Sequence, residues 1–443
     1  MISTEETEPK NVEASDLQET WSLLTGDERA EAFRLLPADE GNEFFLELAA
    51  RDQAELLTRL PARERRLWLR LLAPDDAADV LQEVEPPLRD ELMVLLDDQS
   101  RREVTALLAY AEDDAGGLMS PRFARVRPDM SIDESILYLR KQARDRLETL
   151  YYAYVVDNEQ RLQGVVSFRD LFQARPDQKV RDVMKTDLVT VPEEMDQEAV
   201  SRLFAQHGLV ALPVLDAQGR MKGIVTVDDI VEVVEEEATE DIQKLGGMEQ
   251  LDAPYLDVGF WQMIRKRGGW LSALFIGEML TASAMALFEG EIARAVVLAV
   301  FLPLIISSGG NSGSQASMLV VRAMALGEVR LRDWWRVVKR EIWSGLTLGT
   351  MLACISIVRI LSWQAFFHTY GVHHYKIAAT VAISLVGVVT FGTLAGSILP
   401  FILRRLGFDP ASASAPFVAT LVDVTGLVIY FTTAMVILRG TLL

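Results

Sequence analysis

Cysteine occurs once in 443 residues, at Cys354, and histidine four times. A single cysteine inside an apolar run builds no disulfide framework and says nothing of the redox compartment. His207, His368, His373 and His374, the last three in one loop, offer no zinc-type spacing and no Ser, His and acid constellation for hydrolysis. Basic residues are the next shortage. Residues 1–260 carry 56 of the 64 acids but only 29 of the 44 Lys and Arg, a net charge of −27, whereas 261–443 hold 8 acids and 15 bases, a net of +7. So acidic a half repels nucleic acid and attracts cations, which excludes DNA and RNA as partners. Missing too is a basic, then apolar, leader: Met1-Ile-Ser-Thr-Glu-Glu6 does not read as a signal peptide, so the acidic half is expected in the cytoplasm.

The length suggests about three domains, and the texture of the chain changes accordingly. Residues 17–115 read as helices throughout, with Leu and Ala at helical spacing and punctuation at Leu36-Pro37, Leu60-Pro61, Ala73-Pro74 and Glu85-Pro86. Those steps predict short helices stacked in a small superhelix. Pro74-Asp75-Asp76-Ala-Ala-Asp79 places Pro and then acids in a first turn, where they complement the helix dipole. Capping explains any one of these acids; their number invites cation binding.

From about Met119 to Glu240 the chain repeats itself. Tyr154-Val-Val-Asp157 recurs as Pro213-Val-Leu-Asp216, and Gly164-Val-Val-Ser167-Phe-Arg-Asp170 as Gly223-Ile-Val-Thr226-Val-Asp-Asp229, both offset by 59 residues. Upstream, Met130-Ser-Ile-Asp133 against Met195-Asp-Gln-Glu198 is offset by 65, which places an extra loop near Arg144 to Glu148 in the first copy. Two copies of strand, turn, strand and capped helix resemble a tandem CBS-domain pair. That resemblance implies a disc that dimerises and a site for an adenine nucleotide such as ATP at Thr226 and Asp229; a helix cap explains the same two residues, and both readings stay open. A charged helix follows, with Glu235, Glu236, Glu237, Glu240 and Asp241 within two turns. Without a cation these acids repel at the i, i+3 and i, i+4 spacings.

After Arg265-Lys266-Arg267 the chain turns apolar, and we read five spans, about 270–288, 295–321, 342–361, 377–402 and 411–438, each near the 20 or so residues a bilayer needs. Lys and Arg concentrate in the segments at 265–267, 322–340 and 404–405, so the N-terminus is expected inside and the C-terminus outside the cell membrane. The second span carries nine small or polar residues from Ser307 to Gln315, and backbone loosened there survives only in a protein interior or along a wet cavity. In the fifth span Asp423 is the single charge, and Glu278 lies at similar depth in the first. A carboxylate in hydrocarbon costs about 2.5–3.5 kcal/mol on insertion scales, which marks an ion site. Two acids and no base inside the spans argue against an anion carrier.

The set Ser308-Gly-Gly-Asn311-Ser-Gly-Ser-Gln315, Asp409-Pro410 and Pro416-Phe-Val-Ala419-Thr-Leu-Val-Asp423-Val-Thr-Gly426, with Asp113-Asp114-Ala115-Gly116-Gly117-Leu118-Met119 closing the helical domain, resembles the MgtE family of magnesium channels over nearly the whole chain. The implied fold is multidomain: an all-α superhelical N domain (1–118), an α/β tandem CBS pair (119–181 and 182–240), a plug-like linking helix (241–264) and an α-helical transmembrane domain of five spans (265–443). The resemblance implies no enzyme but a homodimeric channel that brings hydrated Mg2+ inward, with Asp423, Ala419, Asn311 and Gly426 at the pore and Glu278 as a second pore acid or a hydrogen-bonding partner. Mg2+ keeps most of its water and takes one or two carboxylates, which fits one Asp423 from each of two copies. Cytosolic Mg2+ would close the gate through Asp75, Asp79, Asp196, Glu198, Asp229, Glu237, Glu240 and Asp241. Gly208 and Ala415 stand where some relatives carry an acid and an Asn. The competing readings are a CBS-regulated transporter of another divalent cation such as Mn2+ or Co2+, an anion or osmolyte carrier, and a membrane-anchored CBS nucleotide sensor.

Overall fold

The computed structural model describes residues 13–145, 147–149, 151–251 and 253–442. The Met1–Glu6 stretch lies outside them, as does part of the extra loop at 144–148. Two compact units divide at Val234 and Glu235.

Among the described residues the first unit begins with eight short helices: α1 (Ala14–Thr20), α2 (Gly26–Phe33), α3 (Ala38–Glu47), α4 (Ala50–Arg59), α5 (Ala62–Leu69), α6 (Pro74–Gln82), α7 (Pro86–Leu95) and α8 (Asp98–Leu107). The punctuating prolines start helices rather than end them. Pro74 and Pro86 sit in the first turns of α6 and α7, where a missing N–H costs nothing, and Pro37 and Pro61 are N-caps of α3 and α5. Alternating helices pack through Phe33, Phe44, Phe45, Leu57, Leu69, Leu81, Leu92 and Val104, all buried, each contributing about 1.5–3 kcal/mol of transfer free energy.

The repeat folds as read. Strands β1 (Arg125–Val126), β2 (Tyr152–Val156) and β3 (Leu162–Ser167) form one sheet, and β4 (Val191–Pro192), β5 (Ala211–Leu215) and β6 (Met221–Thr226) another. Val126 pairs with Val155 as Val191 pairs with Val214, and Tyr152 with Ser167 as Ala211 with Thr226. Even the bulge recurs, at Val155/Val156 and Val214/Leu215. Helices α9 (Ile132–Gln142), α10 (Phe168–Gln173), α11 (Val180–Val183) and α12 (Gln197–His207) complete the two copies. Gly208 ends α12 in the left-handed region, φ 60°, which a residue without a Cβ adopts freely.

The helical domain shares one core with the second copy, through Val191, Val200, Phe204, Leu212, Val214, Val225 and Ile230. At the join, Ala115 N–H donates to Met195 O at 2.8 Å and Gly116 N–H to Glu193 O at 2.9 Å. A Cβ on Gly117 would come within 2.5 Å of Ala111 O, so the turn before the repeat needs its glycine.

Helix α13 (Val227–Leu245) leaves the first unit and ends in the second. Here the expected linking helix over 241–264 needs correction. The acidic helix begins at Val227 and stops at Leu245, where Gly247 takes φ 76°, and the described residues 246–251 and 253–259 are irregular before α14.

Among its described residues the second unit holds five helices long and apolar enough to cross a membrane: α14 (Phe260–Leu287), α17 (Leu302–Ala325), α18 (Trp334–Phe367), α19 (His374–Arg405) and α20 (Ala415–Leu438), with the short α15 (Glu289–Arg294) and α16 (Val296–Ala299) leading into α17. The expectation of loosened backbone at Ser307–Gln315 also fails. α17 runs through it unbroken, and the chain bends before Leu302 instead. Its glycines serve packing: a Cβ on Gly392 would meet Gly309 O at 2.3 Å, and one on Gly396 would meet Gly313 O at 2.0 Å, so α17 and α19 touch backbone to backbone. α20 closes on this pair. Tyr430 Oη donates to Leu298 O at 2.9 Å, Ser317 Oγ to Ala413 O at 2.8 Å and Ser314 Oγ to Ala415 O at 3.1 Å.

Candidate functional site

Two groups of acids stand out, one in each unit. In the membrane unit, α14 lies along α20 where Gly277 faces the Thr420 methyl; a Cβ there would sit 3.0 Å from it. This close approach brings the carboxyl of Glu278 within hydrogen-bonding reach of Asp423. Ala419, one turn before Asp423, faces Gly310 of α17. The next residue, Asn311, is exposed on a polar stripe with Ser307 and Gln315. Asp423, Glu278, Ala419 and Asn311 thus lie on three neighbouring helices. Gly426 does not join them in exposure. It is buried, and a Cβ there would meet Val388 of α19 at 3.1 Å, a packing position.

The expectation that the spans contain no base needs correcting as well. Arg359 belongs to α18, where its guanidinium stacks 4.3 Å from the Trp363 ring centroid and donates to Tyr370 Oη at 3.1 Å. It lies near the end of α18 opposite Arg340, and Tyr370 belongs to the loop beyond, so the charge is carried at a span end and not beside Asp423.

In the first unit, the start of α6 faces the start of α13. Asp75 is 6% exposed. Ser120 Oγ lies 3.3 Å from Asp75 Oδ1 and 3.1 Å from Glu148 Oε2, and its one proton serves one of them at a time. Burial, then the charges of Glu148, Asp76 and Asp229, hold the Asp75 carboxyl well above the ordinary range. Burial, then Asp76, Asp229, Glu112 and Glu232, pushes Asp79 up to about 8. Asp229 rises to about 7 through burial, against the opposing bonds from Thr226. Carboxylates gathered this way, with the Arg122 guanidinium opposing the rise at Glu148, favour a proton or a hard cation among them. Among the described residues no three His, Cys, Asp or Glu side chains already converge on a point that would hold an ion.

Sequence reasoning named Asp75, Asp79 and Asp229 here and missed Asp76, Glu148, Asp228, Glu112 and Glu232. Glu148 belongs to the extra loop of the first copy, so that insertion was its signal. Asp196 and Glu198 lie elsewhere. Asp196 caps α12, accepting from Glu198 N–H at 3.0 Å, and Glu198 pairs with Arg202 at 2.7 Å. Glu237, Glu240 and Asp241 lie on the last turns of α13, where Glu240 pairs with Lys244. Thr226, 5% exposed, spends its hydroxyl on Asp229 Oδ2 at 2.7 Å, and its N–H donates to the same oxygen at 3.1 Å. That is cap geometry; a ribose contact there requires the pair to open.

Comparison with known proteins decides the family. Residues 302–433 match the divalent cation transporter family MgtE, 12–113 the MgtE intracellular N domain, and 115–177 and 180–236 the CBS domain. The chain is 43% identical to the magnesium transporter MgtE of Thermus thermophilus over 83% of its own length and 80% of the relative's. The chain belongs to the MgtE family. The MgtE proteins of Enterococcus faecalis and Bacillus subtilis are 33% and 30% identical over 76% and 81% of this chain and 72% and 77% of theirs. A crystal structure of the cytosolic domain of the Mg2+ channel MgtE in complex with ATP is similar at 43% identity and TM-score 0.47, covering 51% of this chain and 91% of that one. The inosine-5'-monophosphate dehydrogenase of Bifidobacterium longum is 41% identical over 20% of this chain and 17% of its own. An MgtE protein is a multi-pass membrane transporter and not an enzyme; the dehydrogenase likeness concerns the CBS pair.

Proposed function

We propose that this MgtE protein conducts hydrated Mg2+ into the cytoplasm through a pore between two copies of the chain, and that cytosolic Mg2+ closes it. One observation carries the reading. Asp423 is half-buried in α20 beside Glu278, and the polar stripe Ser307, Asn311 and Gln315 of α17 is exposed within one chain. An amide facing hydrocarbon costs several kcal/mol, about 4–8 on the harshest scale. A second copy applied to that stripe covers it and sets two Asp423 carboxylates across a shared axis. Two carboxylates suit an ion that keeps most of its water. Ala419 and Asn311 then meet the hydration shell, and Glu278 holds Asp423 in place.

The regulatory half of the proposal rests on Asp75, Asp79 and Asp229, now joined by Asp76 and Glu148. With no cation these acids resist being charged together; Mg2+ binding among them favours the compact arrangement and biases the gate through α13. Asp196, Glu198, Glu237, Glu240 and Asp241 remain proposed sensing acids on the resemblance alone. The concentration of Lys and Arg at 265–267, 322–340 and 404–405 supports an N-terminus in the cytoplasm and a C-terminus outside. Nucleotide binding at Thr226 and Asp229 is a separate proposal resting on the repeated motif; titration calorimetry with ATP tests it, and absence of heat removes it.

Mg2+ flux into proteoliposomes, with cytosolic-side Mg2+ varied, tests the whole. Flux that falls as that Mg2+ rises supports pore and gate together. Flux of Mn2+ or Co2+ in place of Mg2+ would transfer the proposal to that ion, and no flux of any divalent cation would overturn it.

A further inference from the structure

The segment from Arg330 to Trp343 carries a surface that the transport reading leaves unused. It enters α18 through a short turn, Leu331–Asp333. On α18, Trp335, Arg336, Lys339, Arg340 and Trp343 follow at i, i+1, i+4, i+5 and i+8, which sets them on one side of a helix. The opposite side holds Val338, Gly345 and Gly349, all buried against the bundle. The charged side therefore faces away from the helix bundle of its own unit. Trp335 and Trp343 are 59% and 65% exposed, and the Arg336 side chain 87%.

These cations have little protein to answer them. Arg336 has Asp333 at 3.4 Å, Arg340 has the adjacent Glu341, and Arg332 and Lys339 make no ion pair among the described residues. Sequence topology rules account for charge at a span end, but a rule about orientation needs no shared face and no bracketing indoles. Here Arg336, Lys339 and Arg340 lie between two tryptophans about two helical turns apart, at the end of a span, the region in which indole rings settle in a headgroup layer. What that layer offers is phosphate, and guanidinium binds phosphate oxygens in pairs.

We propose that this face of α18, with Arg332 in the turn before it, is a binding site for the headgroup of an anionic glycerophospholipid, the phosphodiester lying among Arg332, Arg336, Lys339 and Arg340, with Trp343 against the glycerol and upper acyl chains and Trp335 at the outer edge of the headgroup. The occupant is a lipid and not a soluble phosphate, because Trp343 continues the charged face into the apolar layer.

Native mass spectrometry of the full-length protein in detergent, titrated with phosphatidylglycerol or phosphatidylcholine, tests it. Wild type should retain phosphatidylglycerol in preference. Arg336→Gln and Lys339→Gln should each weaken that binding about fivefold, the value of one near-surface cation, and leave phosphatidylcholine unchanged. Single substitutions keep most of the segment's charge, so insertion is not put at risk. Arg404→Gln, on α19, should have no effect. Added inorganic phosphate should not displace the lipid. Equal binding of the two lipids, an Arg404→Gln loss as large as that of Arg336→Gln, or displacement by inorganic phosphate would each overturn the assignment, the second by showing diffuse charge and the third by showing a phosphate site.

Discussion

Lys244 Nζ lies 2.6 Å from Asp409 Oδ2 and at the same time bonds Glu240, one turn earlier on its own helix. Burial pulls the ammonium pKa down, but the bonds from Asp409 and Glu240 outweigh it and raise it, so the charge is kept. Asp409 in turn accepts from Ala411 N–H at 2.8 Å and so shapes the turn that leads into α20, the helix of Asp423. The end of α13 is thereby pinned to the entrance of α20 by a monovalent group that the protein carries itself. Lys244→Gln should leave Glu240 and Asp409 facing each other, loosening the end of α13 at low Mg2+. We expect higher proteoliposome flux at low cytosolic Mg2+ and a steeper response to added Mg2+, with Asp409→Asn less affected because it removes a charge along with the bond. Equal flux in wild type and Lys244→Gln at every Mg2+ concentration would show that the ion pair does not bear on the gate.

The acids around α6 predict an unusual pH dependence. Asp79 at about 8 and Asp229 at about 7 lie above their unfolded values near 3.8. The folded unit then holds protons that the unfolded chain has released, so without divalent cation its stability falls as pH rises from about 4 to about 8. Mg2+ replaces those protons, and its stabilising effect should be largest at the alkaline end. Thermal unfolding of the full chain in chelator, with and without Mg2+, reads this directly. Asp79→Asn should flatten the slope in chelator and reduce the Mg2+ effect; a chelator profile that rises through this window would contradict the arrangement of charges.

Asp423 and Glu278 should separate in their effects. Asp423→Asn keeps size and hydrogen bonding but removes the charge proposed to meet the ion, and flux should drop at least tenfold, the equivalent of about 1.4 kcal/mol. Glu278→Gln keeps a donor toward Asp423 and should reduce flux by less than that. If Glu278→Gln proves the more damaging, the ion meets Glu278 first and the assignment reverses.

The sequence made most of this architecture legible, and the reasons are physical. Offsets of 59 and 65 residues carried the doubled sheet down to its strand register, because period-two patterns and capped turns are local. Five spans followed from length and apolarity. Tertiary partners were another matter. The acidic cluster draws on α6, Glu148 and the start of α13, and no local spacing marks Glu148 as a neighbour of Asp75. The run Ser307–Gln315 misled in the other direction. Glycine and serine weaken an isolated helix, but α17 is held by α19 along its length, and contact overrode propensity.

Gly396→Ala is expected to cost more than a methyl ordinarily does. Its Cβ would sit 2.0 Å from Gly313 O, so α17 and α19 must part. Overpacking of this kind costs about 1–3 kcal/mol, and the detergent melting temperature should fall accordingly, whereas Gly290→Ala, with open space around it, should leave it unchanged.

The same contact fixes what second-site change can repair. An oversized side chain that strikes another side chain is relieved by trimming the neighbour. At Gly392 and Gly396 the obstacles are the carbonyl oxygens of Gly309 and Gly313, which every amino acid possesses. No substitution on α17 makes room for a larger residue on α19. A suppressor screen begun from Gly396→Ala should therefore return true revertants or changes that strengthen the bundle at a distance, and none at position 313.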